Sequence, residues 1–556
     1  MYAEISKAIE RLVKELFSES VDVVLTRPDE QFGDFSTNIA LQLSKKLGKS
    51  PRDVAGKIAS QLKHELIAKT EVAGPGFINI TLTDKALSQL VGLQPSQSLR
   101  GKTVVAEYSD PNPFKVLHAG HLYTSIVGDA IANLLENAGA KVHRVNFGGD
   151  VGMHVAKMLW AITTKIGDAP EKLDDFSKNE LNELVTESYI SGTAAYEDDG
   201  SAKEEIVKLN KQVYAFHAEK DYESALAKIY WKIRSFYYDV YFKDFYTSIG
   251  TKFDKFYPES ETAPLGLKTV KEQLAKGVYK VSDGAVIFDG EPYGLHARVF
   301  INSEGLPTYE AKDVGLILKK YEDYHFDYSV VITGNDIVEY MKVVLKSIEQ
   351  FAPELAKATT HITHGIVKLE GGQKMSSRKG NILRATDVLD AASRANKTAT
   401  GKEDRDVVLG AVKYSFLKQR TGGDIIYDPK ESVSLEGNSG PYLQYAHARA
   451  RSILRKGKGQ RAKGKVVQLV LEASERSLVR KIGMYAEVVE QATEELMPHL
   501  VCTYLYELAQ TFNRFYENNK VIGNDREDLR LELVEAYAST LKNGLGILGI
   551  VAPEQM

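Results

Sequence analysis

Between residues 103 and 147 the chain runs strand, helix, strand, and few folds accept that order. TVVAEYS (103–109) reads as a buried strand. The helix that starts at His118 repeats Leu122, Ile126, Ala130 and Leu134 on one face, and KVHRVNF (141–147) returns as an alternating strand. Two strands joined through a helix lie parallel, with a right-handed crossover. Sheet-like runs resume at DYSVVIT (327–333) and HITHGIVKL (361–369). A Tyr- and charge-rich stretch from about 160 to 290 interrupts them, with a solvated acidic loop expected at Glu197, Asp198 and Asp199. At 556 residues the chain exceeds one core, so about three or four domains are expected.

Both flanks differ from this centre. Residues 1 to about 95 mix amphipathic helices with GPGFINITL; Ile5, Ile9, Leu12, Val13 and Leu16 mark a folded first helix rather than a signal peptide. Beyond about residue 400 the pattern is helical, and Leu500, Tyr504, Leu508, Phe512 and Tyr516 form a stripe of bundle core. RKGKGQRAKGK (455–465) reads as a solvated basic loop. No apolar run reaches the roughly 18 residues of a membrane span. The single cysteine, Cys502, excludes an internal disulfide framework and a cysteine-rich zinc site, and the expected compartment is the reducing cytoplasm. A net charge of −4 leaves nucleic-acid binding open, because a local basic face suffices.

HAGH (118–121) follows the first strand and opens the helix, where unpaired N–H groups and the helix dipole favour phosphate. His118 and His121 can both donate to a triphosphate, and Gly120 lets an adenine approach the backbone. A pair of histidines that merely cap the helix is the equal alternative. KMSSRKGN (374–381), with Gly371, Gly372 and Gly380 around it, supplies Lys374, Arg378 and Lys379. In isolation it would be an ordinary basic surface loop. Its place after a strand of the same sheet would bring it to HAGH at the strands' carboxyl ends, where nucleotides bind. The chemistry suggested is attack of a carboxylate on an α-phosphorus with release of pyrophosphate, which needs charge stabilisation and alignment. Lys115 is a further candidate cation, and Mg²⁺ is implied only as the ion carried by ATP, with no permanent cofactor.

With these two signatures the chain resembles the class I aminoacyl-tRNA synthetases. Longer blocks resemble the arginine-specific members in order: FGDFSTNIALQLSK (32–45), GPGFINI (74–80), EYSDPNPFKVLHAGHL (107–122), VNFGGDVGMH (145–154), LPTYEAKD (306–313), HGIVKLEGGQKMSSRKGN (364–381), GAVKYSFL (410–417), EGNSGPYLQYAHAR (436–449) and LKNGLGILGIVAPEQM (541–556). The resemblance implies an α/β chain built on a Rossmann-like parallel-sheet catalytic domain (98–375) with a connective insertion at about 160–290. An α+β N-terminal tRNA-binding domain (1–97), a KMSSR loop and stem-contact region (376–425) and an all-α anticodon-binding domain (426–556) complete it.

It further implies ATP contacts from His118, Gly120, His121, Gly365, Val367, Lys374, Met375, Ser376 and Ser377. Arginine contacts would come from Glu107, Ser109, Asn112, His118, Tyr309, Asp313 and Asp336, two acids and polar neighbours suiting a guanidinium fork. From the residues alone, Glu107 could equally be a solvated edge-strand carboxylate, and Asp313 could pair with Lys312 or Lys319. Phe77 and Asn79 would touch the tRNA elbow, unless Phe77 plugs the core. Tyr442, Tyr445 and Arg449, one face of a helix that continues to Arg451 and Arg455, would hold the anticodon with Tyr516 and Met556. For Tyr516 the core stripe is the competing reading. The partners implied are tRNA(Arg), arginine and ATP, acting on a monomer without a membrane, and activation that requires bound tRNA. The chain departs from the family pattern at Asp336 and Glu339, where glutamine and histidine are usual, and at His154, which replaces a glutamine.

Overall fold

The computed structural model describes residues 1–369, 383–457 and 470–556. The N-terminal unit packs helices Tyr2–Phe17, Ile39–Leu47 and Pro51–Gln61 on an antiparallel sheet of β1 (Phe35–Thr37), β2 (Ile67–Ala73) and β3 (Phe77–Leu82) in the order β1-β3-β2. Ile5, Ile9 and Val13 of the first helix are buried there, as their spacing requires.

The centre is a five-stranded sheet, β11-β10-β4-β5-β6, with every neighbouring pair parallel. Its strands are β4 (Thr103–Glu107), β5 (Lys141–Gly148), β6 (Lys255–Pro258), β10 (Tyr328–Gly334) and β11 (Thr359–His364). Helix Ala119–Asn137 joins β4 to β5, the βαβ unit expected from the sequence. Leu122, Ile126, Ala130 and Leu134 are all buried on it. Gly128 of this helix is required by close packing, because a Cβ there would lie 2.2 Å from the Tyr108 ring. The chain moves outward from β4 to β5 and β6, then returns to place β10 on the other side of β4. That reversal opens a crevice beyond the carboxyl ends of β4 and β10.

Several expectations need correction. The stretch 160–290 is not one insertion, since β6 of the main sheet lies inside it. Helices occupy its first part, and a small antiparallel sheet of β7 (Lys280–Ser282), β8 (Ala285–Phe288) and β9 (Arg298–Ile301) occupies and follows its end. Glu197 and Asp198 are not in a loop: they end helix Lys178–Asp198, and Asp199 caps the next helix by accepting from the Ser201 and Ala202 N–H groups. HITHGIVKL is two strands, broken at Gly365; β11 joins the main sheet, whereas β12 (Val367–Leu369) pairs with β13 (Ile425–Tyr427).

The C-terminal part is helical, and Tyr504, Leu508 and Phe512 of the predicted stripe are buried. It meets the N-terminal unit directly: Arg27 pairs with Glu487 at 2.6 Å, and buried Asp34 accepts from Arg476 and lies 3.5 Å from Arg480. The chain's last segment ties the helical part to the centre. Asn133 donates to the Ile547 carbonyl (3.0 Å) and Lys413 to the Gly549 carbonyl (2.8 Å), while Gln444 of helix Gly440–Lys456 donates to Val551 (2.9 Å).

Candidate active site

The loop from β4 to helix Ala119–Asn137 builds the site under strain. Ser109, Asp110 and Phe114 adopt positive φ (77°, 44° and 73°), a conformation costly for side-chain-bearing residues. Neighbours hold it in place. The Ser109 hydroxyl lies 2.8 Å from Tyr246 Oη and accepts from Ser125, the Leu117 N–H donates to Tyr241 Oη, and the Phe147 N–H donates to Asp110 Oδ1 at 2.9 Å. Asn112 Oδ1 accepts the Gly149 N–H at 3.1 Å.

The histidine pair is a reciprocal cap. His118 Nδ1 accepts the Gly120 N–H, His121 Nδ1 accepts the His118 N–H, both at 3.1 Å, and the rings stack 3.7 Å apart. The two alternatives left by the sequence are therefore compatible, because capping occupies only one nitrogen of each ring. With Nδ1 accepting, the proton of each neutral imidazole sits on Nε2. Burial, then the Lys115 charge, lowers the His118 pKa to about 4; burial and His118 push His121 well below its ordinary value. Gly120 is needed for a reason beyond nucleotide access, since a Cβ there would lie 2.9 Å from the His118 ring.

A cavity of about 890 Å³ opens over the crevice between β4 and β10. His118, Gly120, His121, His364, Gly365 and Val367 line one end, and Glu107, Asp110, Asn112, Glu259, Tyr309, Asp313 and Tyr340 the other; Asp336 and Ser109 also line it. Glu107 is not on an edge strand: it lies on the central strand, buried, and pairs with fully buried Lys320. Glu259 pairs with buried Lys312, so Lys312 is not available to Asp313, and Lys319 binds Glu322 and Asp323. Asp313 accepts instead from the Tyr340 hydroxyl. Burial first, with Glu107 and Glu259 adding to it, raises its carboxyl pKa to about 8. Asp110 is raised as well, by burial and then Glu107. Among the described residues the carboxylates of this end outnumber its lysines, an arrangement suited to a cationic ligand.

The remaining expected residues divide. Lys115 lies 4.3 Å over the Tyr189 ring and is not among the cavity lining. Ser109 serves its own loop. Tyr309 stands exposed at the mouth. His154 is buried against the Gly149 carbonyl (2.7 Å), and Glu339 pairs with Lys342 away from the cavity, so of the departures only Asp336 lines it. Lys374, Met375, Ser376, Ser377 and Arg378 lie outside the described residues, as does most of the 455–465 loop. Asp110, Glu259, Tyr340 and the two buried lysines were missed. Asp110 stands in plain view in EYSDPN, but a lone loop acid carries no spacing signal.

On the outer faces, Phe77 is 40% exposed and does not plug the core. Asn79 is buried and accepts from Ser36 at 2.8 Å, so it is less accessible than expected. On helix Gly440–Lys456, Tyr445 is exposed, Tyr442 accepts from Asn513, and the Arg449 guanidinium lies 4.8 Å over the Tyr516 ring. Tyr516 is half-buried at the rim of the stripe, which reconciles its two readings; Met556 is exposed. Arg451 and Arg455 do not extend a free basic strip, because both bind Glu554 of the final segment.

A parallel sheet with HAGH capping its first crossover helix over a switch-point cavity, flanked by an α+β and a helical unit, defines a class I aminoacyl-tRNA synthetase. Residues 83–427 match the family described as "tRNA synthetases class I (R), catalytic domain", residues 2–82 the "Arginyl tRNA synthetase N terminal domain", and residues 443–556 the "DALR anticodon binding domain". The chain belongs to the arginyl-tRNA synthetase family. It is similar to the arginine–tRNA ligases of Flavobacterium psychrophilum (30% identical, covering 91% of this chain and 90% of the relative) and Treponema denticola (30%, 96% and 94%). Among solved structures, the Thermus thermophilus arginyl-tRNA synthetase superimposes with a TM-score of 0.80 at 25% identity, covering both chains fully. The Plasmodium falciparum arginyl-tRNA synthetase shares the fold (TM-score 0.77, 21% identity, 100% of this chain and 99% of the other).

Proposed function

We propose that this chain activates arginine with ATP to arginyl-adenylate, releasing pyrophosphate, and then transfers the arginyl group to the terminal adenosine of tRNA(Arg). The observation that carries this reading is a single cavity with a carboxylate end and a histidine-capped helix end. Asp313 and Tyr340 take the guanidinium, with Tyr309 closing the mouth. Seated so, arginine directs its α-carboxylate toward the α-phosphorus of ATP held at the other end. Carboxylate oxygen then forms the new bond to phosphorus as pyrophosphate departs.

His118 and His121 donate from Nε2 to phosphate oxygens. Their neutrality suits this role, because donors already fixed by their Nδ1 bonds need no reorganisation as charge shifts to the leaving group. Gly365 and Val367 bound the adenosine side. Lys374, with Met375, Ser376 and Ser377, is the proposed cation over the leaving phosphates, and Lys115 a longer-range positive field. Mg²⁺ enters on the ATP phosphates; among the described residues no group of three His, Cys, Asp or Glu side chains could hold it.

Phe77 on one face, and Tyr445, Arg449, Tyr516 and Met556 on another, are the proposed tRNA contacts, with exposed aromatics able to stack on splayed bases. The enzyme acts as a cytoplasmic monomer, and its activation step requires bound tRNA. No described helix is long and apolar enough to cross a membrane.

Arginine-dependent exchange of pyrophosphate into ATP, measured with and without tRNA, tests the reading. Exchange only with tRNA present is the expected result. Exchange without it removes the tRNA requirement, and none under either condition removes the activity.

A further inference from the structure

Among the described residues three histidines line the cavity; the reaction above gives His118 and His121 a task and leaves His364 without one. His364 is the last residue of β11, where the chain leaves the main sheet, and it is buried. Both of its ring nitrogens are committed. Nδ1 lies 2.7 Å from the Gly365 carbonyl, which can only accept, so the ring proton sits on Nδ1. Burial lowers the pKa, with the Gly365 carbonyl and Asp336 opposing, so the ring stays neutral and Nε2 is a bare acceptor. The Thr124 hydroxyl faces that nitrogen. His364 is therefore the opposite tautomer to His118 and His121, and it has no N–H left for a phosphate.

Thr124 joins this strand end to the HAGH turn. It stands on helix Ala119–Asn137, 240 positions from His364, and its hydroxyl also lies 2.9 Å from the carbonyl of Gly120, the residue between the two phosphate donors. The other side of the imidazole holds Gly365, which has no room to shift, since a Cβ there would lie 2.3 Å from the Gly423 carbonyl oxygen. The Tyr123 ring packs 4.5 Å from the imidazole. One ring thus spans the interval from the helix turn that presents the phosphate donors to the backbone that bounds the adenosine side. We propose that His364 is a positioning residue, which acts through Thr124 to fix His118 and His121 at their distance from Gly365, so that ATP lies with its α-phosphorus before the arginine carboxylate. This rests on the reading of ATP and arginine given above.

The test uses the full chain in arginine-dependent pyrophosphate exchange with tRNA present. Thr124→Val keeps the side-chain shape and loses the hydroxyl. Its kcat should fall about 10- to 100-fold, the cost of misplacing aligned groups, with the KM for arginine unchanged. Thr124→Ser, which restores the hydroxyl, should lie within about threefold of the parent. His364→Asn keeps a donor for the Gly365 carbonyl but does not reach Thr124, so it should match Thr124→Val, and the double variant should be no worse than either. Losses that add in the double variant, losses that only track the unfolded fraction, or a Thr124→Val rate within about threefold of the parent overturn the assignment. If His364→Asn does not fold, the two Thr124 variants decide alone. Imidazole nitrogen-15 NMR gives a reading independent of activity: the signal missing in His364→Asn should belong to a ring protonated on Nδ1, and a proton on Nε2 overturns the assignment as well. Absence of exchange in the parent would instead remove the activity reading itself.

Discussion

At the histidine end of the cavity both imidazole Nδ1 atoms already accept backbone N–H groups, whereas at the other end Asp110 and buried Asp313 have no cation partner among the described residues. The first arrangement is complete before any ligand arrives and fits a polyanion that must be aligned and then let go. The second holds a buried carboxyl, Asp313, raised to about 8, that ionises against an arriving cation, and a competitor without positive charge gives it no partner. Discrimination of that kind exceeds what an apolar pocket achieves. In the proposed function the two tasks fall to two kinds of construction: preorganised neutral donors for the phosphates, and acids without a cation partner among the described residues for arginine.

Removing an acid should therefore do the greatest harm. Asp313→Asn is expected to lower kcat/KM for arginine in pyrophosphate exchange by about 100- to 1000-fold, with the KM for ATP little changed. An equal loss in both parameters would dissolve the division between the ends. His121→Ala removes a phosphate donor and half of the reciprocal cap. The expectation is a fall in kcat of about 100-fold with arginine binding retained, together with a loss of about 1 kcal/mol in stability, read as a lower Tm. If activity fell only as far as the unfolded fraction explains, the pair would be caps and nothing more.

The same contrast decides what could be read in the sequence. HAGH is local: a strand, a turn and a helix of one βαβ unit place it, and periodicity exposes all three. The acid end is assembled across the chain. Glu107 and Asp313 were reached through the resemblance, but nothing in their spacing tells that Lys320, 213 positions from Glu107, neutralises one of them and not the other. β6 was lost because four residues, KFYP, in a Tyr-rich stretch carry too little alternation to stand out. The docking of the N-terminal unit on the C-terminal helices includes the pair of Arg27 and Glu487, 460 positions apart, and exposed-looking charges give no hint of such a partner.

The mildest probe is pH, and it should separate the ends without any substitution. Asp313 is raised to about 8 chiefly by burial, with the Glu107 and Glu259 charges adding to it and Tyr340 and Lys320 opposing. A guanidinium favours the ionised carboxylate, so the free enzyme holds a proton that the complex must release. The sign follows: arginine affinity is full above about pH 8 and weakens as pH falls through it. The Asp313 proton by itself makes binding roughly tenfold weaker at pH 7 than at pH 9, as calorimetry would measure. The histidine end moves the other way in principle, but its pKa near 4 lies far below this window. ATP affinity should thus stay flat from about pH 7.5 to 9, beyond the nucleotide's own last ionisation. A flat arginine profile would mean that Asp313 is ionised before the substrate arrives, and the contrast between a finished end and an unfinished one would have to be given up.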